Sequence, residues 1–224
     1  MSAPSSTLQQ LPLFPLNTVL FPGGWLPLQI FEVRYLDMIA RCHREGEPFG
    51  VVGLVDGSEV RQPPQDAEHP SPPQSFHPVG TLAKIESLQR PQAGLMIVQC
   101  VGTQRFRIRH SDQRRFGLWV ADAELMAEDA AAPVPEDLSY ARDLLQDLAR
   151  NIEHSIRNSG ESGVELPLRR PYQWDDCGWL ANRWCEMLPL TLEVRHRLMA
   201  LDSPVLRLEL VADTLVQLGF ASSR

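Results

Sequence analysis

LPLFPLNTVLFPGGWLPLQIF, residues 11–31, contains no charged side chain, and the first charge of the whole chain, Glu32, comes directly after it. A membrane-spanning helix needs about 20 uninterrupted apolar residues, and a secretory leader needs a basic start before a short apolar run. Neither pattern is present. Pro12, Pro15, Pro22 and Pro27 each remove an amide donor and clash with the preceding turn, at about 3 kcal/mol apiece in a helix interior. Gly23 and Gly24 weaken a helix further, and the preceding MSAPSSTLQQ has no Lys or Arg. The expectation is an unprocessed, soluble, cytoplasmic protein with no membrane partner.

Split at its prolines, the stretch becomes three extended pieces, Leu11–Leu16, Val19–Phe21 and Trp25–Ile30, with Pro22-Gly23-Gly24 as the turn. Proline is tolerated at strand starts, edges and bulges, so these pieces belong at the rim of a sheet. From Glu32 the spacing turns helical, with Tyr35, Met38, Ile39 and Cys42 on one face and Gly46 as the stop. Outward from there, FGVVGLV (49–55) is a buried strand, and a loop from Asp56 to Pro78 holds six prolines. Four more strand signals follow: VGTLAKIESL from Val79, GLMIVQCV from Gly94, QRFRIRH from Gln104 and GLWVADAELM from Gly117. Their connectors RPQAG, GT and SDQRR look like turns, which predicts antiparallel neighbours in a compact barrel with one helix closing an end.

The pattern changes at EDAAAPVPED. Helices are expected at 137–158, at 174–188, from a Thr191 cap to Leu201, and from Ser203-Pro204 to a stop at Gly219. The fold class predicted is α+β, with a β-barrel over residues 1–126 and an all-α helical bundle over 127–224.

Composition narrows the chemistry. The net charge is −7; residues 1–126 carry 11 basic and 12 acidic groups, whereas 127–224 carry 10 and 16, so a general nucleic-acid surface is disfavoured. Lys84 is the only lysine and lies between Ala83 and Ile85, so no Walker A motif exists. No Gly-x-Ser-x-Gly elbow or HExxH helix frames a nucleophile or a metal, and the six histidines are scattered. Cys42, Cys100, Cys177 and Cys185 are far apart and expected as reduced thiols. Neither a catalytic residue, a metal nor a cofactor is assigned.

Three passages together resemble the N-terminal substrate-recognition domain of Lon proteases, which also occurs in bacteria as a free-standing protein. LPLFPLNTVLFPGGWLPLQIFEVRYLDMI looks like that domain's opening strand, FPG turn and helix. VGTLAKIESLQRPQAGLMIVQCVGTQRFRI is similar to its GT-x-A-x-I strand and G-x-x-RF-x-I hairpin, and MLPLTLEVRHRLMALDSPVLRL to its helical end. The resemblance implies a PUA-like barrel followed by helices, and a non-enzymatic role in contacting unfolded or extended polypeptides, as an accessory to a protease or chaperone. The ATPase and Ser–Lys protease modules of a full Lon enzyme have no counterpart in these motifs.

Peptide-binding candidates are Trp25, Leu26 and Phe31 beside the Pro22–Gly24 turn, with Phe76 in the proline-rich loop. Trp25 and Phe31 would either floor a groove or fill the barrel mouth. The alternative is an RNA-binding PUA-like protein using Arg105, Arg107 and Arg109, three guanidinium groups on one strand face with Arg114 and Arg115 just beyond. That face lacks an aromatic stacking platform, and a solvated hairpin surface accounts for it as well. Trp174, Trp179 and Trp184, at five-residue steps, are expected as helix packing.

Overall fold

The computed structural model describes residues 7–57, 59, 74–159 and 168–220. Most of the proline-rich loop, the first six residues and the middle of the NSGESGVELPLRRP loop lie outside them. Among the described residues no helix is long and apolar enough to cross a membrane. The architecture is a mixed sheet with several helices.

Six strands form the sheet: β1 (Thr7–Leu16), β2 (Trp25–Ile30), β3 (Phe49–Asp56), β4 (Ser75–Gln92), β5 (Leu95–Gln113) and β6 (Trp119–Leu125). Their order is β2-β5-β4-β3-β1-β6, and β6 pairs with β5 as well, so five of the ladders return on themselves. One pairing departs from the antiparallel expectation. β1 and β3 run parallel, with Leu13 opposite Gly50. A parallel pair needs a long crossover, and here it consists of β2 and helix α1 (Val33–Glu45).

The opening stretch gives two strands rather than three. Val19, Leu20 and Phe21 are buried but make no ladder. GLMIVQCV and QRFRIRH also join into one strand, because Gly102-Thr103 is a bulge and not a turn. Thr81 faces Arg105 while Ala83 faces Gly102, so β5 spends one extra residue there. Gly102 donates to the Gly24 carbonyl at 2.8 Å and accepts from the Gly23 amide at 2.8 Å, and a Cβ at 102 would run into the Phe21 carbonyl oxygen. The FPGG and VGT motifs are therefore two sides of one contact.

α1 lays Tyr35, Met38, Ile39 and Cys42 on Leu26, Leu28, Ile30, Met96, Val98 and Cys100, the inward residues of β2 and β5. Phe14 stacks on Tyr35 with ring centroids 4.1 Å apart. A second core gathers Leu11, Leu13, Val52, Leu82 and Ala123 around Phe106.

The chain divides into two compact units, Met1–Glu128 with Thr191–His196, and Asp129–Leu190 with Arg197–Arg224. The second is helical: α2 (Ser139–Ser159), α3 (Cys177–Met187), the last four residues of α4 (Leu192–Ala200), and α5 (Pro204–Gln217). Asp176 caps α3 by accepting from the Trp179 amide at 2.7 Å, and Ser203 caps α5 by accepting from Leu206 at 3.2 Å. Trp184 is buried and donates to the Ala141 carbonyl at 2.9 Å, tying α3 to α2. Trp174 and Trp179 differ, forming a half-buried cluster with Tyr172 in which Trp174 and Trp179 meet edge to face at 5.1 Å.

At the centre of the second unit lies Arg207, fully buried. Its five N–H groups reach the Leu198 and Leu201 carbonyls, Asn182 Oδ1 and both oxygens of Asp129. A buried guanidinium is tolerated only when its donors are satisfied in this way.

Candidate functional site

Strand alternation separates the peptide-binding candidates. Leu26 is buried in the core under α1, and Trp25, one residue earlier, is half-buried on the opposite face of β2, level with Val101 of β5. Phe31 points outward, 56 % exposed, at the junction where β2 ends and α1 begins. Phe76 is not in a loop. It belongs to β4 opposite Leu54, packed edge to face on Trp119 at 5.3 Å against the second core. The four candidates therefore do not share one surface.

The arginine face is also divided. Arg105 is buried, with Nη2 3.4 Å from the Ala127 carbonyl. Arg107 is half-buried opposite Glu124, and Arg109 extends to Glu124 Oε2 at 2.6 Å, which holds the Glu124 carboxyl below its ordinary value.

The helix that follows Phe31 carries a further surface that the sequence pattern does not mark. Val33, the first residue of α1, is 71 % exposed, and Leu36, Asp37 and Ala40 follow it on the same helix face at three-, four- and seven-residue steps. Those three residues form one wall of a cleft of about 500 Å³; the other wall is the β4–β5 hairpin, with Arg90, Gly94, Leu95 and Met96. Leu36 and Ala40 are half-buried against the core under α1, so the cleft has an apolar floor between two opposite charges, Asp37 and Arg90.

Arg34 anchors this region. Its guanidinium donates to Glu32 at 3.1 Å and to the Gly117 carbonyl at 2.7 Å, and it lies 4.4 Å over the Tyr35 ring. Gly117 ends the β5–β6 connection, a 3-10 turn over Arg115–Gly117. The tip of that turn is Phe116, 85 % exposed and held in the left-handed region at φ 66°, ψ 8°. The sequence marks a turn at SDQRR, whose Ser111–Gln113 belong to β5 instead, and gives no sign of the displayed phenylalanine.

The cysteines are poorly placed to act as nucleophiles. Burial pushes the Cys100 thiol up to about 12 and the Cys177 thiol up to about 11, and all four cysteines are buried thiols outside any disulfide. One histidine pair is notable. His77 of β4 and His196 stack with ring centroids 3.7 Å apart, and His196 Nε2 lies 3.1 Å from the Val79 carbonyl, which fixes that nitrogen as the donor. Burial lowers both imidazoles below their ordinary value; His77 further lowers His196, while Glu193 works the other way on His77.

Comparison with known proteins agrees with this fold. A family model described as the ATP-dependent protease La (LON) substrate-binding domain matches residues 10–217. The solved structure of a Lon N-terminal domain protein from Xanthomonas campestris superposes with a TM-score of 0.68 at 27% identity, covering 92% of this chain and 98% of that one. The N-terminal domain of Lon protease from the Mycobacterium avium complex superposes with a TM-score of 0.55 at 16% identity, covering 93% and 97%, a likeness of fold. A Lon protease of Flavobacterium johnsoniae is 31% identical over 99 residues, 44% of this chain but only 11% of that protein. No protease or ATPase domain is evident within the 224 residues.

Proposed function

We propose, from the premise that this chain belongs to the LON substrate-binding domain family, that it recognises exposed polypeptide and performs no catalysis itself. The family is a non-catalytic module, and protein segments are what such domains bind. In this proposal residues 1–126 act as a PUA-like barrel domain that grips the client, residues 127–224 act as a helical bundle, and any cutting or unfolding is done by a separate protease or chaperone in the cytoplasm.

The observation that carries the proposal is the pair of large apolar side chains left in water at the β2–α1 junction, Phe31 at 56 % exposure and Val33 at 71 %. Each forgoes about 1–2 kcal/mol of further burial if it stays uncovered, and the helix face below Val33 leads into a cleft with an apolar floor. An extended segment could place one side chain in that cleft while its neighbours cover Phe31 and Val33. Trp25, on the opposite sheet face, would then contribute to a different surface or to none.

The test uses a permanently unfolded probe, a reduced and carboxymethylated protein, titrated against the wild type and a Phe31→Ser/Val33→Ser variant. The variant should bind about tenfold more weakly or worse, since buried apolar anchors carry most of an interface's energy, and should melt at an unchanged temperature. Equal binding by both proteins would remove this surface from the proposal.

A further inference from the structure

The β5–β6 tip presents an aromatic side chain at a cost. Phe116 occupies a left-handed conformation that a Cβ disfavours, and its ring, 85 % exposed, recovers nothing by packing. A glycine would fit the same turn without strain. Strain kept in a residue that does not pack points to work done between molecules rather than within one.

The tip is placed where the proposed client would lie. The bond from Arg34 to the Gly117 carbonyl, 2.7 Å, brings it within one arginine side chain of Val33. Leu118, just after it, packs on the same core as Leu36 and Ala40. Two cations border it. Arg114 donates to Gln10 Oε1, and Arg115 is exposed. Of the neighbouring carboxylates, Glu32 is paired with Arg34 at 2.9 Å, and Asp112 shares a hydrogen bond with the His110 ring at 3.1 Å.

Resting on the polypeptide-recognition reading above, we infer that Phe116 is an anchor of the same surface, and that Arg114 and Arg115 make it select segments with Asp or Glu beside their apolar residues. The protein's net charge of −7 opposes acidic partners only at long range. At about 0.15 M salt the screening length is about 8 Å, so the adjacent arginine pair decides.

Three unstructured peptides with a central Phe-Leu-Phe run, flanked by Asp-Glu, Ser-Gly or Lys-Arg, are titrated against the full chain by fluorescence anisotropy at that salt. The acidic-flanked peptide should bind about three- to tenfold tighter than the basic-flanked one. The preference should vanish in Arg114→Gln/Arg115→Gln, while the neutral peptide keeps its affinity. Phe116→Gly should weaken all three by about tenfold with an undiminished melting temperature. Equal affinity for the three peptides overturns the charge selection but leaves polypeptide recognition standing. Full binding by Phe116→Gly removes the anchor. If no peptide binds, polypeptide recognition itself fails. If phosphatidylcholine–phosphatidylserine vesicles are bound through Arg115 and the peptides are not, the tip is a lipid contact and the inference is overturned.

Discussion

The ring of Phe106 fills the space that side chains at positions 50 and 80 would need. A Cβ on Gly50 would meet its Cζ at 2.6 Å, and one on Gly80 at 2.7 Å with the Val51 carbonyl also in the way. Gly80→Ala should therefore cost about 1–3 kcal/mol in a urea titration. Shrinking the ring with Phe106→Leu should recover only part of that loss, because the Val51 backbone cannot retreat. Arg207→Ala should cost more, about 3–5 kcal/mol, since it strands Asp129 and Asn182, whereas Arg207→Met with Asp129→Leu should lose much less. Spacing made the glycine and RF motifs recognisable before their contacts were known. It could not tell which of three alternating arginines would be buried. Arg105 is buried, Arg107 half-buried and Arg109 exposed along one strand, because burial there depends on what packs over the strand and not on the alternation itself. Phe116 was invisible for a related reason: an exposed, left-handed phenylalanine contradicts every preference that sequence patterns encode.

α1 serves two surfaces, and α4 is shared between the two units. α1 buries one stripe in the core and offers Val33, Leu36 and Ala40 on another. That buried stripe was legible from the period of 3.6, while the outer stripe, interrupted by Asp37, looked like an ordinary solvated face. α4 begins within the first unit and continues into the second, with His196 stacked on His77. Because both imidazoles are lowered from 6.5 in the folded state, the unfolded chain takes up their protons first as pH falls. The stability they contribute is thus present above about pH 6.5 and is lost below it as pH falls through the folded-state values. Melting temperatures from about pH 7.5 to about pH 5 should decline more steeply in the wild type than in His196→Gln, whose amide can still donate to the Val79 carbonyl. Parallel slopes for the two proteins would show that the pair is not responsible. The strands were legible as apolar runs, but the parallel β1–β3 pairing was not, since it depends on the path of β2 and α1 between them.

The whole chain is not two consecutive pieces. The composition shift near EDAAAPVPED marks a real change from strands to helices, yet Thr191–His196 returns to the first unit. A fragment ending at Glu128 should lack the His196 bond to Val79 and the stacked ring, and should melt below the full chain; addition of a peptide covering residues 189–200 should restore part of the difference in calorimetry. An equal melting temperature without the peptide would show that the returning segment adds no stability. There is also a consequence for synthesis. A ribosome adds roughly 5–20 residues per second, so the strands are complete several seconds before the segment that finishes their unit has been made. During that interval the β3–β4 surface that will receive His196 is uncovered on the nascent chain. A protein proposed to recognise exposed polypeptide thus passes through a stage in which its own strands are the exposed ones.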